Sequence, residues 1–265
     1  MIDFSEEKIT RYSRHILLPE IGIIGQEKIL NAKILIVGLG GLGSPAALYL
    51  AAAGIGTIGL IDGDTVDLTN LQRQIIHSTN DLDKPKTESA AEKIKNLNPD
   101  IKTIIHQGRL TAENALDIIK NYDFIIDGTD NFPVKYLIND ACVMAGKPFS
   151  HGGILRFQGQ TFTHLPGTAC YRCIFSQPPE KATTCAEAGI LGAIPGMLGT
   201  IQAAEALKYV TNTGELLTNR LLTFDAKSMV FNIIKIKPNK NCISCSENPQ
   251  IKQLVEYKQD YCTLK

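Results

Sequence analysis

Tryptophan is missing from the 265 residues and aromatic side chains make up only 6% of them, which excludes no function by itself. An excess of charge is missing too. Twenty-seven basic residues face twenty-seven acidic ones, so no chain-wide field draws the protein to nucleic acid or to an anionic membrane. The first residues, Met1 to Lys8, lack a basic region followed by an apolar core; a secretion signal is not expected, and a cytoplasmic location is. Internal repeats and low-complexity tracts are also lacking. Charge disappears altogether between Ile34 and Ile61, a stretch long enough to span a membrane. Seven glycines and Pro45 break it into strand-sized and helix-sized pieces, so it reads as a buried strand–helix–strand unit.

What is present is a globular composition, 44% apolar and 20% charged, sufficient for one large domain or two closely packed halves. Short helices are expected near Ser5–Tyr12 and Gln26–Leu30. Strands at Lys33–Val37, Thr57–Ile61, Ile101–His106 and Phe124–Asp127 then alternate with helices at Leu42–Ala53, Lys86–Asn96, Ala112–Asn121 and Pro133–Ala145. That alternation predicts an α/β fold, a Rossmann-like doubly wound parallel sheet. After Pro148 the pattern changes to hairpins, Ile154–Phe157 with Gln160–Leu165 around Gln158-Gly159, and Arg220–Asp225 with Met229–Ile236. The sheet should therefore continue as a mixed, antiparallel half. Ser176–Ala188 is polar and reads as a mobile crossover loop before an apolar helical pattern from Ala193 to Val210.

Gly38-Leu-Gly40-Gly41-Leu-Gly43 follows a strand and opens a helix, where backbone N–H groups and the helix dipole favour a phosphate. Asp62 ends the next strand, nineteen residues beyond Gly43, where a carboxylate can bind ribose hydroxyls. These residues alone fit NAD. However, Asn70 and Arg73 lie just beyond Asp62, and Lys86 starts a helix whose dipole opposes a cation, so an anion nearby makes its position more intelligible. Two extra cations suit a triphosphate. Asp127 and Asp130 end the fourth strand, and either could hold Mg²⁺ between phosphates. A nicotinamide oxidoreductase would need a hydride-handling residue, for which His151 and His164 are available without any motif; a silent binding module would be expected to lack one of Arg73, Lys86 and Asp130.

Seven cysteines without a secretion signal argue against structural disulfides. Cys170-x-x-Cys173 and Cys242-x-x-Cys245 form two knuckles 68 residues apart, compatible with a closed tetrahedral zinc site or with redox pairs. Cys185 stands in the crossover loop, accessible enough to act as a nucleophile if its pKa were depressed, or to be a bystander. Cys142 fits a core position and Cys262 a tail.

The ordered set Arg11-Tyr-Ser-Arg14-His-Ile, Gly25-Gln26, the glycine loop, Asp62-x-Asp64, Asn70-Leu-Gln-Arg73-Gln, Lys84-Pro-Lys86, Asp127-Gly-Thr-Asp130-Asn131 and both cysteine pairs resembles the MoeB/ThiF/HesA adenylyltransferases, bacterial relatives of ubiquitin-activating enzymes. The likeness covers nearly the whole chain. It implies one ThiF-type domain over 1–265, with N-terminal helices (1–31), an ATP-binding half (32–150), a carrier-binding half with the zinc knuckles (151–245) and a tail (246–265). It implies that Gly38, Gly40, Gly41 and Gly43 cradle ATP, that Asp62 binds its ribose, that Asn70, Arg73 and Lys86 contact its phosphates, and that Asp130, beside Asn131, holds Mg²⁺. Arg14 would enter the ATP site of a second subunit, making a homodimer, and the four cysteines would hold a structural zinc ion. The substrate would be the C-terminal glycine carboxylate of a ubiquitin-like sulfur carrier ending in Gly-Gly. In the thiamine branch a cysteine at the position of Cys185 bonds covalently to that carrier; the molybdopterin branch does not need it. Residues from Asn248 resemble the linker leading to a rhodanese domain in some molybdopterin-branch members, which favours that carrier type and a separate sulfur donor, a rhodanese or cysteine desulfurase.

Overall fold

The structure is a computed structural model that describes residues 4–177 and 189–257. Two helices, α1 (Glu6–Ile16) and α2 (Gly22–Asn31), lead into β1 (Lys33–Val37). Ser5 caps α1 by accepting from the Lys8 N–H, as its place before two glutamates suggests. Then follow α3 (Gly43–Ala53), β2 (Thr57–Ile61), α4 (Lys86–Leu97), β3 (Lys102–His106), α5 (Ala115–Ile119), β4 (Phe124–Asp127), α6 (Phe132–Ala145), β5 (Phe149–Leu155), β6 (Gln158–His164), α7 (Tyr171–Ile174), α8 (Ala193–Thr211), β7 (Arg220–Asp225) and β8 (Val230–Lys235).

The strands form one sheet in the order β3-β2-β1-β4-β5-β6-β7-β8. β3 through β5 pair in parallel; β5–β6, β6–β7 and β7–β8 pair antiparallel. Strand alternation sends Ile34 and Ile36 to a core shared with α2, α3, α4 and α8, and Leu35 and Val37 to a second core under α5, α6 and α7. Burial on both faces explains why β1 reads as an uninterrupted apolar run. From β1 the chain winds outward to β3 and then returns to β4, so strand order reverses between β1 and β4. Ligands bind in the crevice outside the carboxyl ends at such a reversal.

Two expectations are corrected. β5 begins at Phe149 rather than Ile154, because Phe149 to His151 pair in parallel with β4 before the strand turns into the hairpin. The turn of that hairpin falls at Arg156-Phe157, with Arg156 at φ 56°, not at Gln158-Gly159. Gly159 serves packing instead: a Cβ there would lie 2.3 Å from the ring of Phe224. No helix among the described residues is long and apolar enough to cross a membrane; the uncharged stretch from Ile34 is β1, α3 and β2.

Candidate nucleotide site and cysteine centre

Where strand order reverses, three glycines meet backbone to backbone. Gly128 N donates to Val37 O at 2.9 Å, a Cβ on Gly43 would fall 1.9 Å from Gly38 O, and Gly38 itself adopts φ 86°. Side chains are excluded there by contact, which is why the loop must be glycine-rich. On its outer side the loop meets α8 and the segment after β2: a Cβ on Gly41 would lie 2.8 Å from Pro195 and 3.5 Å from Arg73 Cγ.

Asp62 holds this loop with one carboxylate oxygen and its own turn with the other. Leu39 N donates to Oδ2 at 2.7 Å and Asp64 N to Oδ1 at 2.9 Å, leaving one acceptor position on each oxygen. Asn70 caps the turn before it, its Oδ1 accepting from Asp67 N at 3.2 Å, so its amide N–H₂ is the part that can reach a ligand. Arg73 is half-buried and anchored by Nη1 to Thr69 O at 3.0 Å. Lys86, the first residue of α4, is only 6% exposed and reaches Asp64 Oδ2 at 3.3 Å, so it is not a solvated surface charge. Partial burial raises the Asp64 carboxyl, but Lys86 and then Arg109 outweigh it and hold that group below its usual value.

Of the two carboxylates expected near magnesium, Asp127 is excluded. It is buried, contacts Lys135 Nζ at 3.0 Å, and accepts from His151 Nδ1 at 2.9 Å and from Thr129 Oγ1 at 2.6 Å. Burial pushes the Asp127 carboxyl up, yet Lys135 and His151 prevail and hold it well below the carboxylate range. An ionised carboxylate saturated by a lysine and a histidine has no lone pair left for a metal; instead it fixes the Gly128–Asp130 turn through the Thr129 N–H, 3.1 Å away. Asp130 is exposed and bonded to no side chain among the described residues, which leaves its oxygens free for a cation. Asn131 is the N-cap of α6, accepting from Val134 N at 3.1 Å.

Contacts join the glycine loop to Asp62, to Arg73, which stands one turn after Asn70, and through Gly128 to the turn that carries Asp130 and Asn131, while Lys86 reaches Asp64, two residues beyond Asp62. Arg14 stands apart, exposed in the last turn of α1. Cys185, with most of the crossover loop, lies outside the described residues. His151 and His164 are buried at 1% and 2% exposure, which removes the candidates a hydride-transfer reading needed.

The four knuckle sulfurs converge: every pair lies within 4.8 Å, with Cys170–Cys173 at 3.9 Å, Cys170–Cys242 at 3.6 Å and Cys173–Cys245 at 3.4 Å. A tetrahedron of thiolates ~2.3 Å from a zinc ion has edges of ~3.8 Å, so the set fits a closed four-sulfur metal site. S–H bonding within the cluster favours thiolate at Cys242 and Cys173, the latter also receiving the Asn239 N–H at 3.3 Å. The residues between the cysteines clamp the knuckles to α6. Arg172 grips Asp140 through Nε and Nη2, both at 2.8 Å, donates to Tyr257 Oη at 2.7 Å and lies over the ring of Tyr136. Asn139 accepts from Tyr171 N of one knuckle and donates to Ser244 Oγ of the other.

Sequence reasoning missed Asp64 as the partner of Lys86, the Lys135–Asp127–His151 triad, Gln74 beside Gly40, and His77. Asp64 and Gln74 sat inside quoted motifs without a role; Lys135 and His77 carried no spacing signal.

Residues 12–245 match the ThiF family. The chain is 44% identical over 98% of its length to an adenylyltransferase and sulfurtransferase MOCS3 of Aedes aegypti, covering 60% of that protein. It is 44% identical over 96% of its length to a probable adenylyltransferase/sulfurtransferase MoeZ of Mycobacterium tuberculosis, covering 65% of it. The chain thus spans about three-fifths of the length of these relatives. Among solved structures, E. coli MccB with ATP superposes at TM-score 0.77 and 25% identity, over 89% of this chain and 74% of that one. Family match, relatives, sheet order and converging cysteines agree: the chain belongs to the ThiF family.

Proposed function

We propose that the chain is an adenylyltransferase that activates the C-terminal glycine carboxylate of a ubiquitin-like sulfur-carrier protein, the molybdopterin-synthase small-subunit type being favoured. One carboxylate oxygen bonds to the α-phosphorus of ATP, the bond from that phosphorus to the bridging oxygen breaks, and pyrophosphate leaves with the electron pair. No proton moves, because the attacking carboxylate is already ionised at neutral pH. Catalysis is then alignment plus neutralisation of phosphate charge. Asp62 would orient the ribose, the loop N–H groups, Asn70, Arg73 and Lys86 would bind the phosphates, and Asp130 would hold Mg²⁺, which would supply further neutralisation of phosphate charge. The observation that carries this reading is the burial of the Lys86 cation at the start of α4 with the half-exposed Asp64 as its one carboxylate partner among the described residues, a charge arrangement that a polyphosphate would complete.

Arg14 would enter the site of a second subunit. Leu17, Leu18, Ile23 and Ile24 around it are all exposed, which supports a homodimer through this end of the molecule. The apolar run of α8 reads from the sequence as core sooner than as a surface for the carrier, and its Ile194, Leu198, Ala203 and Ala206 are buried, whereas every residue of the edge strand β8 is exposed, including Val230, Phe231, Ile233 and Ile234. That apolar edge suits the flat apolar face of a ubiquitin-like partner. The four cysteines would hold a structural zinc ion. Sulfur would reach the adenylated carrier from a rhodanese-type sulfurtransferase or a cysteine desulfurase, a reading favoured by the sulfurtransferase names of the relatives. A thiamine-type carrier with Cys185 as a covalent thiol is the second form of the same chemistry.

Asp130→Ala tests the assignment: carrier-dependent pyrophosphate release should be lost with the fold intact. Release at the wild-type rate would refute it.

A further inference from the structure

His77 enters no step above, yet it is buried and bonded at both ring nitrogens. Nε2 lies 3.1 Å from the carbonyl oxygen of Leu39 in the glycine loop, and Nδ1 lies 2.8 Å from Ser89 Oγ, three residues along α4 from Lys86. A carbonyl can only accept, so Nε2 carries the proton; in the neutral ring Nδ1 then accepts from the Ser89 hydroxyl. Burial lowers the pKa and keeps the ring neutral, the Leu39 bond opposing it and Lys86 adding to it. The peptide between Leu39 and Gly40 is planar and trans, so a C=O drawn toward His77 turns the Gly40 N–H to the opposite side. Leu39's own N–H is taken by Asp62 at 2.7 Å. The Gly40 N–H is the next donor along the loop, and it has no hydrogen-bond acceptor among the described residues.

We propose that His77 is a positioning residue for ATP: it fixes the Leu39–Gly40 peptide with the Gly40 N–H presented to the phosphates, and ties the glycine loop to the helix that carries Lys86. This deepens the adenylation reading and rests on it. The sequence hides the role because His77 acts on a backbone carbonyl 38 residues away.

Two substitutions separate positioning from packing. In His77→Asn the side-chain oxygen can take the place of Nδ1 and keep Ser89, but the ring donor to Leu39 is lost and that carbonyl keeps the longer bond from Ser44 Oγ at 3.4 Å; in His77→Gln the amide nitrogen can take the place of Nε2 and restore the lost donor. MgATP affinity of the full chain, by titration calorimetry, should fall on the order of tenfold or more in His77→Asn and return to within about threefold of wild type in His77→Gln, with similar thermal midpoints. Wild-type affinity in folded His77→Asn, or an equal loss in both variants, would overturn the proposal. Nitrogen NMR of the wild-type chain needs no variant: it should report an Nε2–H ring and a Gly40 amide shifted by MgATP, and an Nδ1–H ring or an unmoved Gly40 amide would overturn it. A wild-type chain that binds no MgATP would overturn the nucleotide reading itself.

Discussion

Replacing Lys86 by methionine keeps the length and apolar stem of the side chain while removing its charge, and so separates the work this residue does for ATP from the work it does for the fold. At ~4 Å and an effective dielectric of ~20, a lysine and one phosphate charge attract by about 4 kcal/mol, close to three decades in rate. The fold stands to lose far less. Asp64 is 53% exposed on its side chain and keeps Arg109 at 2.8 Å, and such half-solvated pairs contribute at most about 1 kcal/mol. Lys86→Met should therefore lower kcat/KM for ATP–pyrophosphate exchange by about 10²- to 10³-fold while shifting the thermal midpoint by no more than ~4 °C. Exchange within about threefold of wild type, or a collapsed midpoint with ATP affinity retained, would refute the assignment of this cation to the phosphates.

Three further outcomes follow from the buried polar contacts. Arg172→Met leaves the Asp140 carboxylate, at 0% exposure, without its counter-charge and with only the Tyr257 and Asn139 hydrogen bonds, and should cost roughly 3 kcal/mol, read by calorimetry, together with reduced metal content. His151 is held neutral, its pKa pushed down to about 4, by burial first and Lys135 second, against the hydrogen bond it donates to Asp127. The unfolded chain binds the extra proton first, so stability should fall as pH drops from ~6.5 to ~4, by on the order of 3 kcal/mol; His151→Asn, which can keep the Asp127 bond without titrating, should flatten that window in pH-dependent melts. Elemental analysis should find one zinc per chain, and Cys242→Ser should lose it and lower the melting temperature, whereas a metal-free, equally stable wild type would exclude a structural metal.

Periodicity made the parallel half of the sheet legible: β1, β2 and β4 fall at the predicted residues, because buried strands bounded by glycine and aspartate leave little ambiguity. It failed where the signal was tertiary. Phe149 to His151 became strand only through pairing with β4, and Gly159 is glycine for the sake of a ring on β7. The same division runs through the site. Asp62 and the cysteine knuckles announce themselves by position, and the convergence of the four sulfurs agrees with the metal reading. Asp127 and Asp130, three residues apart, looked equivalent as magnesium ligands until Lys135 and His151 were seen to saturate the first. Those partners come from α6 and β5, where spacing along the chain says nothing of contact. β8 was likewise legible as a strand, but its exposure on both faces belongs to its place at the sheet edge.

ATP–pyrophosphate exchange with purified molybdopterin-type and thiamine-type carriers, each ending in Gly-Gly and offered separately with Mg²⁺, tests the central claim most directly. Adenylation of a carrier carboxylate predicts exchange that depends on the carrier and is stronger with the molybdopterin type. Exchange with neither carrier would contradict it.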